Sequence, residues 1–289
     1  MSGEGFGEKS VVVTGASSGI RRALALRLAD EGAWCALAAR DSQRLDALAL
    51  ECERRGGRAI AVPTDVADEA QCRALALRAQ ATYGRIDALI NNAGMGMVGL
   101  LQDLPDLRLF ERVMDVSFRG AVYCSYHALP FLRQARGRVV NISSLGGVIA
   151  LPFNSAYVAS KFAMIGFSDS LRMEVKRSGV SVTVICPYWV ATEFQDRLLD
   201  EEGRLWRAAG RSTQSRQAMS ADQCTQVVLK AARRRRRQVI MWPGSLGPWG
   251  KLVFPGLVDR VVSRVLVGPR SRARQEADEA RQRGKGHDR

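Results

Sequence analysis

Histidine is nearly absent: there are two in 289 residues, too few for a histidine-built metal centre. The six cysteines, at positions 35, 52, 72, 124, 186 and 224, include no C-x-x-C pair. A zinc site or a redox dithiol is therefore not expected. Cysteines in apolar runs read as small core residues of a reducing compartment. No apolar run reaches the roughly 20 residues that a membrane-spanning helix needs. The first residues, Met1-Ser-Gly-Glu-Gly-Phe-Gly-Glu-Lys9, lack the apolar stretch of a secretory signal, so a cytoplasmic protein is expected. Repeats and biased compositions are missing too, which excludes collagen, coiled-coil and wholly disordered chains.

What remains is ordinary globular composition, 46% hydrophobic and 25% charged, with enough chain to bury a substantial core. Acidic residues are the minority charge, 29 against 43 basic, for a net charge of +14. The excess is concentrated late in the chain. Lys230 and Arg233 to Arg237 supply six charges, and Arg270 to Arg289 has seven basic residues against four acidic. Interleaved aromatics and any recognisable nucleic-acid module are absent there, so the run reads as the basic end of a helix.

Along the chain, β-branched and apolar runs alternate with helical patterns. Strands are expected at 9–14, 33–39, 58–62, 86–91, 138–143, 180–186 and 238–242. Helices are expected at 18–31, 42–55, 67–82, 107–133, 155–177 and 221–236. The strands are apolar nearly throughout, as a sheet covered on both faces requires. The expected fold is α/β: a single doubly wound parallel sheet of about seven strands with helices on both faces. Residues 1–8 read as a tail and 9–242 as one domain, with 187–220 a long irregular segment placed to cover a substrate. The apolar segment 243–269 is broken by Pro243, Pro248 and Pro255. Residues 239–267 could cover the pocket, pack in an oligomer or rest on an anionic membrane, packing being the default. The charged tail 270–289 reads as disordered.

Two motifs carry chemistry. Strand one runs into Thr14-Gly15-Ala16-Ser17-Ser18-Gly19-Ile20, and then a helix begins. Small residues there let the backbone approach a pyrophosphate, and the helix start supplies free N–H groups; tight packing is the plainer alternative. Tyr157 and Lys161 lie at i and i+4 on one helix face. A neighbouring ammonium should draw the phenol's pKa down toward neutrality and make it a usable acid or base. Ser143 and Ser144 end the preceding strand, where a hydroxyl points into the ligand crevice.

With Asp65-Val66, Asn91-Asn-Ala-Gly94 and Pro187 to Thr192 added, in this order and spacing, the chain resembles the short-chain dehydrogenase/reductase family. The resemblance is strong over about residues 10–195. It implies a Rossmann-like sheet and hydride transfer between NAD(P) and a small-molecule carbonyl or alcohol, and it suggests a homo-oligomer, dimer or tetramer. Tyr157 would protonate the carbonyl oxygen, Ser144 would hydrogen-bond the substrate, and Lys161 would lower the tyrosine pKa and hold the nicotinamide ribose. Asn91 would steady the central strand and line the cofactor cleft, Asp65 would bind the adenine amino group, and Thr192 would meet the nicotinamide end. Val66, Ala93, Gly94, Pro187 and Val190 would line the same cleft. At the end of strand two, Ala39 stands where an NAD-selecting acid usually falls and Arg40 follows. NADP(H) is therefore expected over NAD(H), with Asp41 left to cap the next helix.

Three positions depart from the family pattern. Arg21 replaces the last glycine of the phosphate turn, where its side chain either attracts phosphate or obstructs it; obstruction is the expectation. Ser117 stands where an asparagine normally bends its helix and holds a relay water. Tyr188 replaces the glycine after Pro187, a backbone position that a side chain resists, and brings a ring toward the nicotinamide. Reduced activity, or a silent relative that binds cofactor or a partner, follows from these departures. Met95 and Met97, among Gly94, Gly96 and Gly99, either shape an adaptable pocket or fill core. His127 reads as a satisfied surface residue rather than a catalytic one.

Overall fold

The computed structural model describes residues 5–17, 19–206, 218–241 and 247–264. Ser18, Trp242 and the tail 270–289 lie outside the described residues, as does part of the 187–220 segment. Seven parallel strands form one sheet in the order β3-β2-β1-β4-β5-β6-β7. They are β1 (Ser10–Thr14), β2 (Trp34–Ala39), β3 (Arg58–Pro63), β4 (Ala88–Asn91), β5 (Arg138–Ile142), β6 (Ser181–Cys186) and β7 (Gln238–Ile240). The helices between them are α1 (Ile20–Asp30), α2 (Ser42–Arg54), α3 (Glu69–Tyr83), α4 (Arg108–Met114), α5 (Gly120–Gln134), α6 (Ser155–Glu174) and α7 (Ala221–Arg233). A short helix, α8 (Gly247–Val253), follows, and residues 255–264 are again helical.

The expected doubly wound sheet is present. Its central strands are buried on both sides because they are apolar on both faces, while the edge strands β3 and β7 are only partly buried. One core layer joins α1, α2 and α7 to the sheet through Leu24, Leu28, Leu45, Val228 and their neighbours. The other joins α3, α5 and α6 through Leu75, Cys124, Leu132 and Leu171. All six cysteines are buried and free. The chain reverses its direction of travel across the sheet between β1 and β4, and this switch point opens the crevice at their carboxyl ends.

Three local findings differ from the sequence reading. Within the segment read as a tail, Phe6 is buried, with the guanidinium groups of Arg138 and Arg233 5.0 and 5.9 Å from its ring centroid. The helix expected over 107–133 is interrupted: Asp115–Arg119 form a π-helical turn between α4 and α5. The arginine run 233–237 is more than a solvated helix end. Arg233 pairs with Glu31, and Arg237 pairs with Asp169 at 3.1 Å. Arg235 donates to the carbonyls of Arg136 and Gly179 at 2.8 and 2.9 Å.

Candidate active site

The crevice begins where Thr14 ends β1. Its hydroxyl accepts from the N–H groups of Asn92 and Ala93 at 3.0 and 3.1 Å, tying β1 to the loop after β4. Gly15 has φ +69°, and a Cβ there would come 2.9 Å from Ala93 Cα. Only glycine allows that conformation and that approach together. Ala16 N–H donates to the Ala38 carbonyl at 2.9 Å, while Ser17 follows in the same turn. Gly19, at φ +58°, begins α1 with no capping side chain and no acid in the first turn. A Cβ on Gly19 would press on Thr192 at 3.2 Å, so the start of α1 and Thr192 face each other. Ile20 packs on the core behind the turn, alongside Val190. An uncapped helix start behind a glycine turn suits the phosphates of a dinucleotide.

Arg21 crosses this space. Its Nη2 donates to the Gly94 carbonyl at 3.0 Å, and its Cδ lies 3.1 Å from where a Gly15 Cβ would stand. The guanidinium thus bridges the two loops that form the crevice walls. Burial, and then the charge of Arg197, lower its pKa to about 10.

At the rim, Arg40 is exposed at the end of β2 and Ala39 is buried beside it. Asp41 caps α2, accepting from Arg44 N–H at 3.1 Å. Asp65 is engaged by Arg112 and by the Ala67 N–H at 3.1 Å. Burial raises its pKa, but these two bonds and the charges of Arg112 and Arg40 outweigh burial and hold it below the usual range. The carboxylate meant for an adenine amino group is therefore already paired with an arginine. Val66 packs under Gly120, whose Cβ would clash with it at 2.8 Å.

Asn91 does not turn its amide to the cleft. Its Nδ2 donates to Asn141 Oδ1 at 2.8 Å and to Ser125 Oγ at 3.0 Å. Asn141 in turn donates to Ser168 Oγ at 2.8 Å. The parallel register sets Asn91 opposite Asn141, so this polar chain stitches β4, β5 and α6 inside the core. The Asn91 amide is thus spent on inter-strand bonds within the core.

The catalytic candidates converge at the start of α6. Ser144 neighbours the Tyr157 hydroxyl and favours its charged form, and it accepts from Gly146 N–H at 3.1 Å. Ser143 instead donates to the Lys161 carbonyl at 3.0 Å. Lys161 Nζ donates to the Ile142 carbonyl at 3.0 Å and lies 5.5 Å from the Tyr157 ring centroid. The expected depression of the phenol is not found. Burial raises the Tyr157 pKa, against the lowering effects of Ser144 and of the Arg21 charge. The lysine carries the depression instead: burial and the Arg21 charge lower it to about 7.

Ser117 sits on the π-turn, so the bend survives the loss of asparagine. Its hydroxyl donates to the Met95 carbonyl at 2.9 Å and accepts from Met95 N–H at 3.1 Å. Met97 fills core with Val113 and Ala156, and Met95 is half-buried against them. His127 Nε2 is buried without a hydrogen bond, 3.3 Å from a Glu69 carboxylate oxygen and outside this cluster. Tyr188 has no left-handed backbone. Its ring packs on the core with Ile20, Val190 and Met219, so the strain expected of it is absent. Buried Pro187 accepts from Leu145 N–H at 2.9 Å, holding the loop after β6 against the loop that bears Ser144.

Two residues of the covering segment were not singled out in the sequence. The Phe194 and Tyr157 rings stand 5.6 Å apart. A Cβ on Gly96 would meet Leu198 at 2.8 Å, Phe194 at 3.3 Å and Tyr157 at 3.6 Å. Leu199 N–H donates to the Gly96 carbonyl at 3.2 Å, and Val98 N–H donates to the Leu199 carbonyl at 2.8 Å. This pairing fastens the segment over the phenol and makes the wall beside it apolar.

A serine, a tyrosine and a lysine gathered at a glycine-turn crevice are one fingerprint, and the sequence match agrees. The family model described as short chain dehydrogenase matches residues 9–203. The chain belongs to the short-chain dehydrogenase/reductase family. It is 36% identical over 191 residues to 11-beta-hydroxysteroid dehydrogenase-like 3 of Arabidopsis thaliana, covering 66% of this chain and 62% of that protein. It is 36% identical over 205 residues to 11-beta-hydroxysteroid dehydrogenase B of Sesamum indicum, covering 70% and 56%. The match thus spans less than two thirds of these relatives' length. Among solved structures, a short chain dehydrogenase/reductase from Burkholderia phymatum in complex with NAD superposes with TM-score 0.75. It is 27% identical, covering 84% of this chain and 92% of that one. The short-chain dehydrogenase/reductase fold is thereby shown for this chain.

Proposed function

We propose that this protein interconverts an alcohol and a carbonyl on a mostly apolar small molecule, with NADP(H) preferred over NAD(H). The gathering of Ser144, Tyr157 and Lys161 under the apolar cover of Phe194 and Leu198 carries this reading. The nicotinamide, when bound, would supply or accept the hydride. Thr14, Gly15, Gly19 and the start of α1 would hold its phosphates, and Thr192 its nicotinamide end. Tyr157 would give its proton to the carbonyl oxygen in the reducing direction. The phenol is protonated at neutral pH, as the donor must be, although burial moves its pKa away from the value that best serves proton transfer. Ser144 would hold the same oxygen, and Lys161 would balance charge as the proton leaves. Phe194 and Leu198 would exclude water and favour an apolar substrate.

Arg40 supports NADP(H): an exposed guanidinium stands at the end of β2, Ala39 offers no carboxylate, and Asp41 is committed to its helix cap. Arg21 and Ser117 support a slow enzyme rather than a brisk one, since one crosses the crevice and the other's single hydroxyl is engaged by Met95. Titration with NADPH and NADH, then a screen of apolar ketones with Tyr157→Phe as control, tests the reading. Tighter binding of NADPH and turnover that disappears in Tyr157→Phe are expected. Turnover that persists in Tyr157→Phe defeats it.

A further inference from the structure

The C-terminal helical pair leaves an apolar edge uncovered. Leu252, Val253 and Phe254 are 76%, 60% and 61% exposed, and Leu257 and Val261 are 56% and 53% exposed. Phe254, Leu257, Val258, Val261 and Val262 recur at the spacing of one helix face. Val258 and Val262 are half-buried. Val258 meets the preceding helix, where a Cβ on Gly250 would lie 3.4 Å from its Cγ2. Lys251 is bridged to Asp259 across the same pair. One margin of the stripe is thus seated and the other, Leu257 with Val261, is open. On a helical wheel the open margin is the one bordered by Arg264 and Arg260, and both are exposed.

An apolar stripe with arginines along its open margin is the pattern of a helix lying in a membrane interface. The apolar residues enter the acyl boundary, and the arginines reach headgroup phosphates. We infer that this edge, Leu252 to Phe254 with Leu257 and Val261, docks the protein onto an anionic lipid surface. Charge decides the occupant. Residues 250–264 carry three basic groups and one acid, in a chain of net charge +14. A second copy would bring the same arginine margin against this one, whereas anionic headgroups complement it. Among the described residues no helix is long and apolar enough to cross a membrane, so the contact is a surface one.

Sedimentation of the full chain with vesicles tests this. Phosphatidylcholine vesicles containing phosphatidylglycerol should carry the protein down, and phosphatidylcholine alone should not. Added salt should weaken the binding. Leu257→Glu with Val261→Glu should abolish it. Arg260→Gln with Arg264→Gln, which leaves the apolar face intact, should weaken it about 25-fold. Thermal melting identifies a variant that fails to fold, and the arginine pair then carries the test. Absence of sedimentation in the wild type overturns the proposal. So does equal binding to neutral vesicles, or a Leu257→Glu/Val261→Glu variant that binds as wild type. A wild-type dimer that the same variant splits, without vesicle binding, assigns the edge to a second copy and overturns it as well.

Discussion

Replacing Arg21 with glycine should open the crevice. The guanidinium now lies between the Gly15 turn and the Gly94 carbonyl, and a dinucleotide running from the start of α1 toward Lys161 has to move it. The bond to be broken is one charged donor on a neutral carbonyl, worth about 1.5 kcal/mol at the lower end for such bonds. That end applies because Arg21 is half-buried rather than sealed in. The variant should therefore bind NADPH about tenfold more tightly. Its backbone cost is small, since position 21 lies in the first turn of α1 rather than mid-helix. A second effect should accompany the first. Arg21 is the charged neighbour that depresses Lys161, so its removal should let the lysine titrate higher and move the alkaline limb of the rate profile upward. Calorimetric titration of both proteins at low and high salt measures the first effect, and a pH series of kcat/KM measures the second. Weaker binding in Arg21→Gly, with a shallower salt dependence, would refute the obstruction and make Arg21 a phosphate ligand instead.

Further expectations rest on single contacts. Arg40→Glu should reduce the NADPH-to-NADH affinity ratio at least tenfold, about 1.4 kcal/mol, read by the same titrations; an unchanged ratio removes Arg40 from cofactor selection. Asn141→Ala should destabilise the fold by about 1–3 kcal/mol, because it removes two buried hydrogen bonds, to Asn91 Nδ2 and to Ser168 Oγ, although Asn91 keeps Ser125 and Ser168 keeps the Met164 carbonyl. Urea unfolding decides, and a change under about 0.5 kcal/mol would contradict the network. Lys161 titrates near 7 in the fold against 10.5 unfolded, so between those values the unfolded chain holds the extra proton. Stability should rise with pH there, by up to about 1.4 kcal/mol per unit. Lys161→Met should flatten that rise, and identical slopes in the two proteins would count against a depressed lysine.

The sheet was legible because its strands are short, mainly apolar runs, most of them closed by a glycine, a polar pair or a proline, and parallel burial writes that pattern directly into sequence. The candidate trio was legible because Tyr157 and Lys161 are local to one helix and Ser144 follows the strand before it. What the sequence hid is three-dimensional. The π-turn at Asp115–Arg119 has no periodic signature, since one extra residue in a helix leaves the apolar pattern nearly unchanged. The partner of Asp65 is Arg112, 47 residues away, and only the docking of α4 beside the end of β3 brings them together. Asn91 turns inward because the parallel register sets it against Asn141, a relation between two strands that neither shows alone.

The direction of the Tyr157 shift makes the same point about energy. Spacing places an ammonium one helical turn from the phenol, and from that alone a lowered pKa follows. In the fold, Lys161 directs its Nζ to the Ile142 carbonyl, and the covering segment desolvates the ring through Phe194 and Leu198. Desolvation of a nascent phenolate then exceeds the attraction of its neighbours. A helix-face argument counts the charges but not the water that the covering loop removes, and that loop is fastened by backbone bonds between Gly96, Val98 and Leu199. Freeing the loop should therefore move the phenol downward, toward the value that spacing alone implies.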